Sequence, residues 1–448
     1  MVKLPQPMTI ALGKTVRRVA RLRGGGSALP GLFVEHISPS FVPDTLKQLS
    51  YGVVIVSGTN GKTTTTKMVV ALLESQGLRV FTNKTGSNFV RGVAAALLGA
   101  VDLKGNLPAD IAVLELDEAH AVKFVNVIKP RYTLLLNVMR DQLDRFGEID
   151  TTAKLLQTVA KNTTGAVVLN REDKRILAIR DSLPKTTDVR YFGLNPQLVS
   201  LFPNDDELHS EQTGASSTPG APVSKSVQAH LNSADAKTIK GTKADVTLEA
   251  LDHSSATFII DEHTYSIPLK LRGIYNVYNS AAALTLVRAI IPKASLDSLL
   301  SALSSVTPAF GRGESIIVNG YPVELILVKN PAGFRLSLES FSPENYATMI
   351  AINDNYADGR DMSWLWDVDF TSFKQHSIYV TGIRAYDMAL RLQYDEVPVE
   401  HVETNPHRAL FDFINRHSTS PKRIYCTYTA MLHLRKELSK ISTVEKIS

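Results

Sequence analysis

Residues 57–66 read Ser57-Gly58-Thr59-Asn60-Gly61-Lys62-Thr63-Thr64-Thr65-Thr66. An apolar run at 53–56 precedes them and predicts a buried strand, and residues 67–74 have the apolar periodicity of a helix. A strand, a glycine-bearing turn and the start of a helix form a phosphate cradle, because backbone N–H groups and the helix dipole both favour an anion there. The sequence therefore predicts a site for a nucleoside triphosphate.

This loop carries two side chains that suit a bound triphosphate. Lys62 can place a positive charge on the terminal phosphates, and the hydroxyl of Thr63 can contact Mg²⁺. Gly58 and Gly61 are separated by two residues, whereas the common phosphate loop has four residues between its glycines. A tight turn without a ligand is the alternative, but four consecutive threonines are a poor start for a purely structural helix. The predicted nucleotide contacts of the loop are Gly58, Thr59, Asn60, Gly61, Lys62, Thr63 and Thr64.

The composition is that of an ordinary globular protein. The chain has 448 residues, which suggests about three domains, and 44% of them are hydrophobic, with no apolar run near the ~20 residues that span a bilayer. Cys426 is the single cysteine, so an internal disulfide and a cysteine-based zinc cluster are excluded. The sequence predicts a cytoplasmic protein with no zinc and no nucleic acid partner.

A basic cluster lies near the N-terminus, ahead of a glycine run at 24–26. One interpretation is a contact with phosphate-rich lipid or an anionic membrane surface. The other, which we favour from the sequence alone, is the solvated face of a helix. We therefore expect at most a peripheral contact with the inner face of the membrane. The cluster consists of Lys14, Arg17, Arg18, Arg21 and Arg23.

Short apolar segments alternate with helical patterns from Tyr51 onward. This alternation predicts an α/β fold with a doubly wound, mostly parallel sheet and ligands at the carboxyl ends of its strands. Residues 194–245 are rich in Ser, Ala, Thr, Pro and Gly and predict a long surface excursion, after which a hairpin is expected at 256–269. Candidate strands lie at 53–56, 79–82, 111–115, 133–137 and 166–169.

Three units are predicted along the chain. Residues 1–48 form an N-terminal arm, residues 49–305 form the ATP-binding central domain, and residues 306–448 form a C-terminal domain. The segment Ser305-Val306-Thr307-Pro308 has the composition of a domain junction. The last unit again alternates strand and helix, with strands near 323–328, 348–353 and 377–381.

An acidic cluster, Leu114-Glu115-Leu116-Asp117-Glu118, ends the third predicted strand. An acid at this edge of the sheet lies beside the phosphate loop and can hold Mg²⁺. Glu115 is the first choice as metal ligand, together with Thr63, and Asp117 and Glu118 are alternatives. Asp117 or Glu118 can instead cap the next helix.

Two asparagines, Asn276 and Asn279, begin a later predicted helix. They are three residues apart and share a helix face, so their amides can reach a nucleotide base or phosphate. Capping of the helix by Asn276 is the alternative. A dense polar cluster at 140–147, which follows Asn137 at the end of a strand, is a further candidate for this edge of the sheet.

These motifs, in this order, resemble the Mur ligase and folylpolyglutamate synthase superfamily. The resemblance implies an ATP-binding central domain and a C-terminal Rossmann-like domain. It assigns the phosphate-loop roles to Lys62 and Thr63, the Mg²⁺-holding carboxylate to Glu115, and the helix-borne amides to Asn276 and Asn279. Where classical members have an Asp-His pair, this chain has Asp-Gln at 141–142, which leaves a second Mg²⁺ site in doubt. Lys154 is only a rough positional candidate for the carbamylated lysine of the family.

Four segments make the chain most similar to the MurT family. That family provides the synthetase subunits of lipid II isoglutaminyl synthase. The resemblance implies ATP-dependent amidation of the D-glutamate α-carboxylate of the lipid II stem peptide through an acyl phosphate, with ammonia from a GatD-like glutaminase in a heterodimer. Many MurT chains carry a four-cysteine zinc ribbon, which this chain lacks. The segments are 140–145, 273–279, 329–334 and 354–361, the last followed by Ser-Trp-Leu-Trp-Asp at 363–367.

The segment 354–361 follows a predicted strand and carries two further candidate catalytic residues, Asp354 and Asp358. The resemblance implies that an aspartate here orients the histidine of the partner's Cys-His pair. Binding of the substrate peptide and an Asx-type turn around Gly359 are the alternatives. Trp364 and Trp366 are candidate interface anchors.

Two other functions remain open from the sequence. One is a folylpolyglutamate-synthase-like amino acid ligase that acts without a partner. The other is a nucleotide-sensing scaffold, which the presence of Lys62, Thr63 and Glu115 disfavours.

Overall fold

The computed structural model describes residues 6–22, 28–83, 90–139, 149–202, 241–252, 254–271, 273–308 and 312–444. Most of these residues belong to two β-sheets and the helices that cover them. Within these ranges, none of the helices has both the length and the apolar character that crossing a membrane requires. The polar cluster at 140–147, the glycine run at 24–26 and most of the predicted excursion at 194–245 lie outside the described residues.

The first sheet has nine strands in the order β2-β3-β1-β4-β5-β6-β7-β8-β9. In this order, the seven strands from β2 through β7, including β1, are parallel to one another. Strands β7, β8 and β9 form an antiparallel meander at one edge. The hairpin predicted at 256–269 is formed by β8 and β9. The strands are β1 Val53–Ser57, β2 Val80–Thr82, β3 Ile111–Glu115, β4 Tyr132–Leu135, β5 Ala166–Asn170, β6 Asp188–Leu194, β7 Val246–Leu251, β8 Ser255–Ile260 and β9 His263–Pro268.

Helices cover both faces of this sheet, which explains why its central strands are continuously apolar. Val54 and Val56 of β1 pack into the core on one face, and Val53 and Ile55 pack into the core on the other. The helices are α1 Gln6–Leu22, α2 Ala28–Ile37, α3 Phe41–Leu46, α4 Lys62–Ser75, α5 Val90–Ala100, α6 Glu118–Val125, α7 Ile149–Lys161, α8 Lys174–Ala178, α9 Ile274–Ile290 and α10 Leu296–Ser305.

The N-terminal helices are packed onto the same sheet. Ile10 of α1, Val34 of α2 and Phe41 of α3 are buried in one core with Val93 of α5. Residues 6–22 form a helix, as the basic cluster suggested, and one side of that helix is covered by the rest of the protein.

The second sheet has six strands in the order β10-β11-β15-β12-β13-β14, and only the pair β10–β11 is antiparallel. Its strands are β10 Arg312–Val318, β11 Tyr321–Leu327, β12 Ala347–Ala351, β13 Ile378–Thr381, β14 Val399–Glu403 and β15 Lys422–Cys426. Its helices are α11 Pro331–Ser340, α12 Ala385–Tyr394, α13 Pro406–Arg416 and α14 Tyr428–Leu438. The predicted α/β fold, with a large and mostly parallel first sheet and a second parallel-rich unit, is confirmed.

The strand order places the predicted site at one edge of the first sheet. β1 lies between β3 and β4, and the three strands are parallel, so the segments that follow them leave the sheet on the same side. This is the topological switch point at which open α/β sheets bind ligands.

Candidate active site

The phosphate loop connects β1 to α4 and depends on its glycines. Gly61 caps α4 with φ of 87°, and Gly58 has φ of 131°. A side chain at Gly58 would place its Cβ 3.0 Å from the backbone nitrogen and oxygen of Asn137. Both positions therefore need glycine, because other residues rarely adopt these backbone conformations and Gly58 also has no room for a side chain.

Asn137, two residues after the end of β4, fixes the shape of the phosphate loop. Its side-chain oxygen accepts a hydrogen bond from the backbone nitrogen of Asn60 at 2.9 Å, and its side-chain nitrogen donates to the carbonyl of Asn60 at 3.0 Å. The backbone nitrogen of Thr59 donates to the carbonyl of Asn137 at 3.0 Å. These bonds hold the loop before any nucleotide binds.

Lys62 is buried at the first position of α4. Its Nζ donates to the carbonyls of Gly58 at 2.5 Å and Thr59 at 3.2 Å, and it lies 3.8 Å from a carboxylate oxygen of Glu118. A buried cation needs such partners, since an unpaired charge in the interior is costly. Glu118, an alternative metal ligand in the sequence analysis, thus faces the lysine of the loop.

Thr63 and Glu115 meet beside the loop. The Thr63 hydroxyl donates to Glu115 Oε1 at 2.9 Å. Asn83 positions Glu115, because its side chain accepts from the Glu115 backbone nitrogen at 3.0 Å and donates to the Glu115 carbonyl at 2.8 Å. The remaining alternative, Asp117, is the N-cap residue of α6, and its carboxylate lies 3.6 Å from His120 Nδ1.

The donor set of Thr63 and Glu115 fits Mg²⁺. A hydroxyl and a carboxylate are hard oxygen ligands, and Mg²⁺ is typically held by one or two carboxylates together with waters and the phosphates of its substrate. Among the described ranges there is no cluster of three or more His, Cys, Asp or Glu side chains with metal-site geometry. A closed protein cage for a metal is therefore absent from these ranges, whereas a site completed by phosphates needs no such cage.

A cleft opens in front of the phosphate loop, and both halves of the chain line it. Asn60 and Gly61 border it on one side together with Asn276 and Asn279 of α9. Gly273 caps α9, so the alternative in which Asn276 caps this helix is wrong. Asn279 is buried against the loop, where a side chain at position 61 would collide with its amide. The opposite wall is formed by Ile326, Leu327, Lys329, Gly333 and Leu336, among others.

Hydrogen bonds connect the phosphate loop and α4 to residues from Thr307 onward. Asn330 caps α11 by accepting from the Gly333 nitrogen at 2.6 Å, and its side-chain nitrogen lies 3.5 Å from Asn60 Oδ1. On α4, Lys67 donates to the hydroxyl of Thr307 at 2.9 Å, in the predicted junction segment. The candidate nucleotide site is therefore formed by segments that adjoin both sheets.

Asp354 and Asp358 have different environments. One oxygen of Asp354, Oδ2, accepts from Arg384 Nε at 2.9 Å and Nη2 at 2.8 Å. Asp358 is buried, and it accepts from the Thr429 nitrogen at 2.7 Å, the Thr429 hydroxyl at 2.5 Å and the Asn355 nitrogen at 3.0 Å. Burial raises the pKa of the Asp358 carboxyl. Asp358 thus organises the loop, whereas Asp354 keeps 17% of its side chain exposed.

Sequence reasoning missed three residues of this site. Asn83 is a single amide that acts on a distant residue, and no local pattern marked it. Asn330 lies in the segment 329–334 that carried the family resemblance, but the sequence analysis assigned it no role. Glu118 was considered only as a ligand or a cap, not as the partner of Lys62. Lys154 is exposed on α7 and does not line the cleft, so the structure gives no support to it as the carbamylated lysine.

The fold and the loop define a class of nucleotide-binding α/β ligases, and comparison with known proteins agrees. The sequence model of the Mur ligase middle domain matches residues 56–287, and the model of the MurT ligase C-terminal domain matches residues 327–431. Among solved structures, MurF from Acinetobacter baumannii superposes with a TM-score of 0.65 at 17% identity, covering 92% of this chain and 80% of that one. FolC from E. coli, in complex with DHPP and ADP, superposes with a TM-score of 0.59 at 14% identity, covering 90% and 92%.

Two curated relatives match over most of their length. The lipid II isoglutaminyl synthase (glutamine-hydrolyzing) subunit MurT of Streptococcus pneumoniae is 30% identical, with 99% of each chain covered. The protein of the same description from Staphylococcus aureus strain COL is 27% identical over 87% of this chain and 88% of its own. The chain belongs to the MurT family of Mur ligases. The predictions of this family and of an ATP-dependent ligase are confirmed.

Proposed function

We propose that this chain amidates lipid II as the synthetase subunit of a lipid II isoglutaminyl synthase. It uses ATP to convert the D-glutamate α-carboxylate of the stem peptide to D-isoglutamine, with ammonia from a GatD-like glutaminase subunit. The described function of the two MurT relatives supports both the substrate and the use of glutamine. The observation that carries the ligase chemistry is the contact of Thr63 with Glu115 at the phosphate loop.

The phosphate loop accounts for the first step. Backbone N–H groups at the start of α4 and the charge of Lys62 stabilise the phosphoryl group as it moves from ATP to the substrate carboxylate. A carboxylate oxygen attacks the γ-phosphorus, ADP leaves, and an acyl phosphate forms. Thr63 and Glu115 would hold Mg²⁺, which would supply further neutralisation of the phosphate charge. Ammonia then attacks the acyl carbon and phosphate leaves.

The cleft accounts for the position of the nucleotide. Asn276 and Asn279 present amides beside Gly61, so they can contact the nucleoside or the phosphates of ATP. The opposite wall comes from the loop after β11 and from α11, which leaves the substrate carboxylate to approach between the two sheets. The side-chain amide of Asn330 contacts Asn60 in the phosphate loop, so this wall of the cleft touches the loop directly.

The chain needs a partner as its source of ammonia. Cys426 is its single thiol, and that side chain is buried in β15. Burial raises the pKa of the Cys426 thiol, so it stays protonated and cannot act as a nucleophile. Hydrolysis of glutamine therefore falls to a second subunit.

Asp354 is the better of the two aspartates for a triad shared with that subunit. Arg384 holds one of its oxygens, and no hydrogen bond from the described residues reaches Oδ1. That oxygen can accept from the histidine of a Cys-His pair and orient it, as the acid of a triad does. Asp358 lacks this freedom, because both of its oxygens already accept hydrogen bonds within its own loop.

An exposed aromatic face adjoins Asp354 and supports this placement of the partner. On α12, Tyr386, Leu390 and Tyr394 follow one another at four-residue intervals and are 70%, 48% and 69% exposed. Such a face is rare on a monomer and is typical of interfaces, where tyrosine and tryptophan are enriched. We define the aromatic face by Trp366, Ile383, Tyr386, Leu390 and Tyr394; the rings of Trp366 and Tyr394 are 5.1 Å apart.

Two variants test the partner assignment. Asp354→Asn is expected to abolish glutamine hydrolysis by the assembled complex while amidation with ammonium salts continues. Tyr386→Glu is expected to weaken co-purification of the glutaminase and to leave the ammonium-dependent reaction intact. Full glutaminase activity in both Asp354→Asn and Asp358→Asn would eliminate the shared triad.

The decisive experiment is mass spectrometry of lipid II after incubation with the chain and ATP. The expected product with ammonium salt is the amide at the D-glutamate α-carboxylate, and with glutamine it appears only when a glutaminase subunit is added. Incorporation of an amino acid without any partner would favour the ligase that acts alone. Nucleotide turnover without any product on lipid II would overturn the proposed substrate.

A further inference from the structure

The positive charge of this protein is concentrated at one end of the chain. Residues 1–34 contain six lysines and arginines and no aspartate or glutamate. Because the whole chain has a formal net charge of +5, the remaining 414 residues together carry a formal charge of −1. The excess cationic charge therefore belongs to the segment that contains α1.

The inner side of α1 is fixed to the protein. Ile10 is fully buried, and a side chain at Gly13 would lie 2.8 Å from a methyl group of Val34 on α2. Lys14 Nζ donates to the carbonyl of Val101 at 2.5 Å. These contacts hold α1 in one orientation, and they determine which of its side chains face outward.

A line of apolar side chains runs along that outer side. Met8, Leu12 and Val19 are 57%, 46% and 44% exposed. Their spacings of four and seven residues place them along one line of the helix. On α2, which packs against α1, Leu29 and Leu32 are 54% and 37% exposed. We call these five side chains the apolar stripe.

Exposed cationic charge lies beside the stripe. Arg18 is exposed and directly precedes Val19. Glu35, the first acidic residue of the chain, forms an ion pair with Arg91 at 3.1 Å. An apolar line on a helix with cationic residues and without acids at its flank is the pattern of a helix that lies in the plane of a membrane surface.

We propose that the apolar stripe of α1 and α2 rests on an anionic lipid membrane, with Arg18 in the headgroup region. This inference depends on the proposed function, since lipid II is itself anchored in a membrane. The charge distribution favours lipid over a protein occupant, because a surface of anionic headgroups attracts every cation of the segment at once. The solvated helix face favoured by the sequence alone does not explain five exposed apolar side chains.

The contact has a definite physical character. A few half-inserted side chains and a few cations give weak and reversible binding that depends on salt and on lipid charge. Each basic residue near an anionic surface raises the partition coefficient of the protein between membrane and water about fivefold. A leucine that enters the acyl boundary strengthens it by about tenfold or more.

Co-sedimentation of the full chain with vesicles tests the proposal. The vesicles contain phosphatidylcholine alone or phosphatidylcholine with a third of phosphatidylglycerol. We expect binding only to the anionic vesicles, with loss at high salt. Leu12→Glu is expected to reduce the partition at least tenfold and Arg18→Glu at least fivefold. Val127→Glu is the matched control, because Val127 is 61% exposed on the central domain and lies outside the stripe.

A second measurement separates this inference from the proposed function. Leu12→Glu should amidate lipid II in detergent micelles as well as the unchanged chain does, and should be slower on lipid II in anionic vesicles. Absence of amidation by the unchanged chain in micelles would defeat the proposed function instead. Equal vesicle binding by Leu12→Glu and Val127→Glu overturns the inference. So does loss of a protein partner in Leu12→Glu without any change in vesicle binding.

Discussion

Replacement of Glu115 by glutamine isolates the charge at the predicted metal site. Glutamine has the same shape as glutamate, so its carbonyl oxygen can still accept the hydrogen bond that Thr63 donates at 2.9 Å. The two hydrogen bonds between Asn83 and the backbone of residue 115 do not depend on the charge of its side chain. The exchange of a charged for a neutral acceptor costs about 1 kcal/mol of stability, and the fold should remain intact.

The effect on Mg²⁺ should be much larger. Even two unit charges about 4 Å apart interact with about 4 kcal/mol at an effective dielectric constant near 20, and Mg²⁺ is doubly charged. Loss of even half of that raises the Mg²⁺ concentration needed for half-maximal activity about 30-fold. At saturating Mg²⁺ we expect the rate of amidation to stay reduced by about 100-fold or more, because phosphoryl transfer relies on fixed charge at this point.

The assay is amidation of lipid II with ammonium salt, measured over a range of Mg²⁺ concentrations at fixed ATP. Asp117→Asn is the matched control, because Asp117 is the alternative acid two residues away, at the N-cap of α6. Its Mg²⁺ requirement should equal that of the unchanged chain. An unchanged Mg²⁺ requirement in Glu115→Gln, or the same increase in both variants, would refute the assignment of Glu115.

Three further perturbations have defined outcomes. Gly61→Ala should weaken ATP binding, measured by calorimetry, at least tenfold. The φ of 87° at this position is unfavourable for alanine, and the alanine Cβ would overlap a side-chain amide of α9. The control Gly77→Ala, with φ of 82° and open space around it, should bind ATP normally. Arg384→Gln should lower kcat for glutamine hydrolysis about tenfold without a change in KM for glutamine, because the loss of the guanidinium leaves Asp354 free to rotate. Arg384→Lys should restore part of the rate. Cys426 should resist alkylation by iodoacetamide until the chain unfolds, because burial raises the pKa of its thiol.

Local sequence patterns were sufficient for the phosphate loop and for the acid beside it. A glycine-bearing turn between an apolar strand and a helix has few alternatives, and a strand that ends in glutamate at the same sheet edge follows from parallel topology. Each of these two motifs is a short run of consecutive residues. Their side-chain roles remain predictions, as do the domain boundaries at 48/49 and 305/306.

Partners distant in sequence were not predictable in the same way. One of the two central strands of the second sheet is β15, Lys422–Cys426, whose two basic residues are unusual in a buried strand. Arg423 is accommodated because Glu324 of β11 pairs with it at 2.8 Å and the ring of Tyr346 lies 3.9 Å from its guanidinium carbon. The charge of Arg423 in β15 is thus neutralised by Glu324 in β11. Because these residues are far apart in sequence, the sequence of β15 alone predicts only an unfavourable buried strand.

The order of the second sheet relates the two candidate sites to each other. The loop that carries Asn330 follows β11, and the loop that carries Asp354 follows β12, with β15 between these two strands. All three strands are parallel, so both loops leave the same edge of the sheet, two strand spacings or roughly 10 Å apart. Thr427, directly after β15, accepts from the Asn353 nitrogen at 2.9 Å and ties the second loop to the shared edge. At this shared edge, the loop with Asn330 therefore faces the cleft, and the loop with Asp354 faces the proposed partner. A subunit bound at Asp354 would then deliver ammonia close to the cleft in which the acyl phosphate forms.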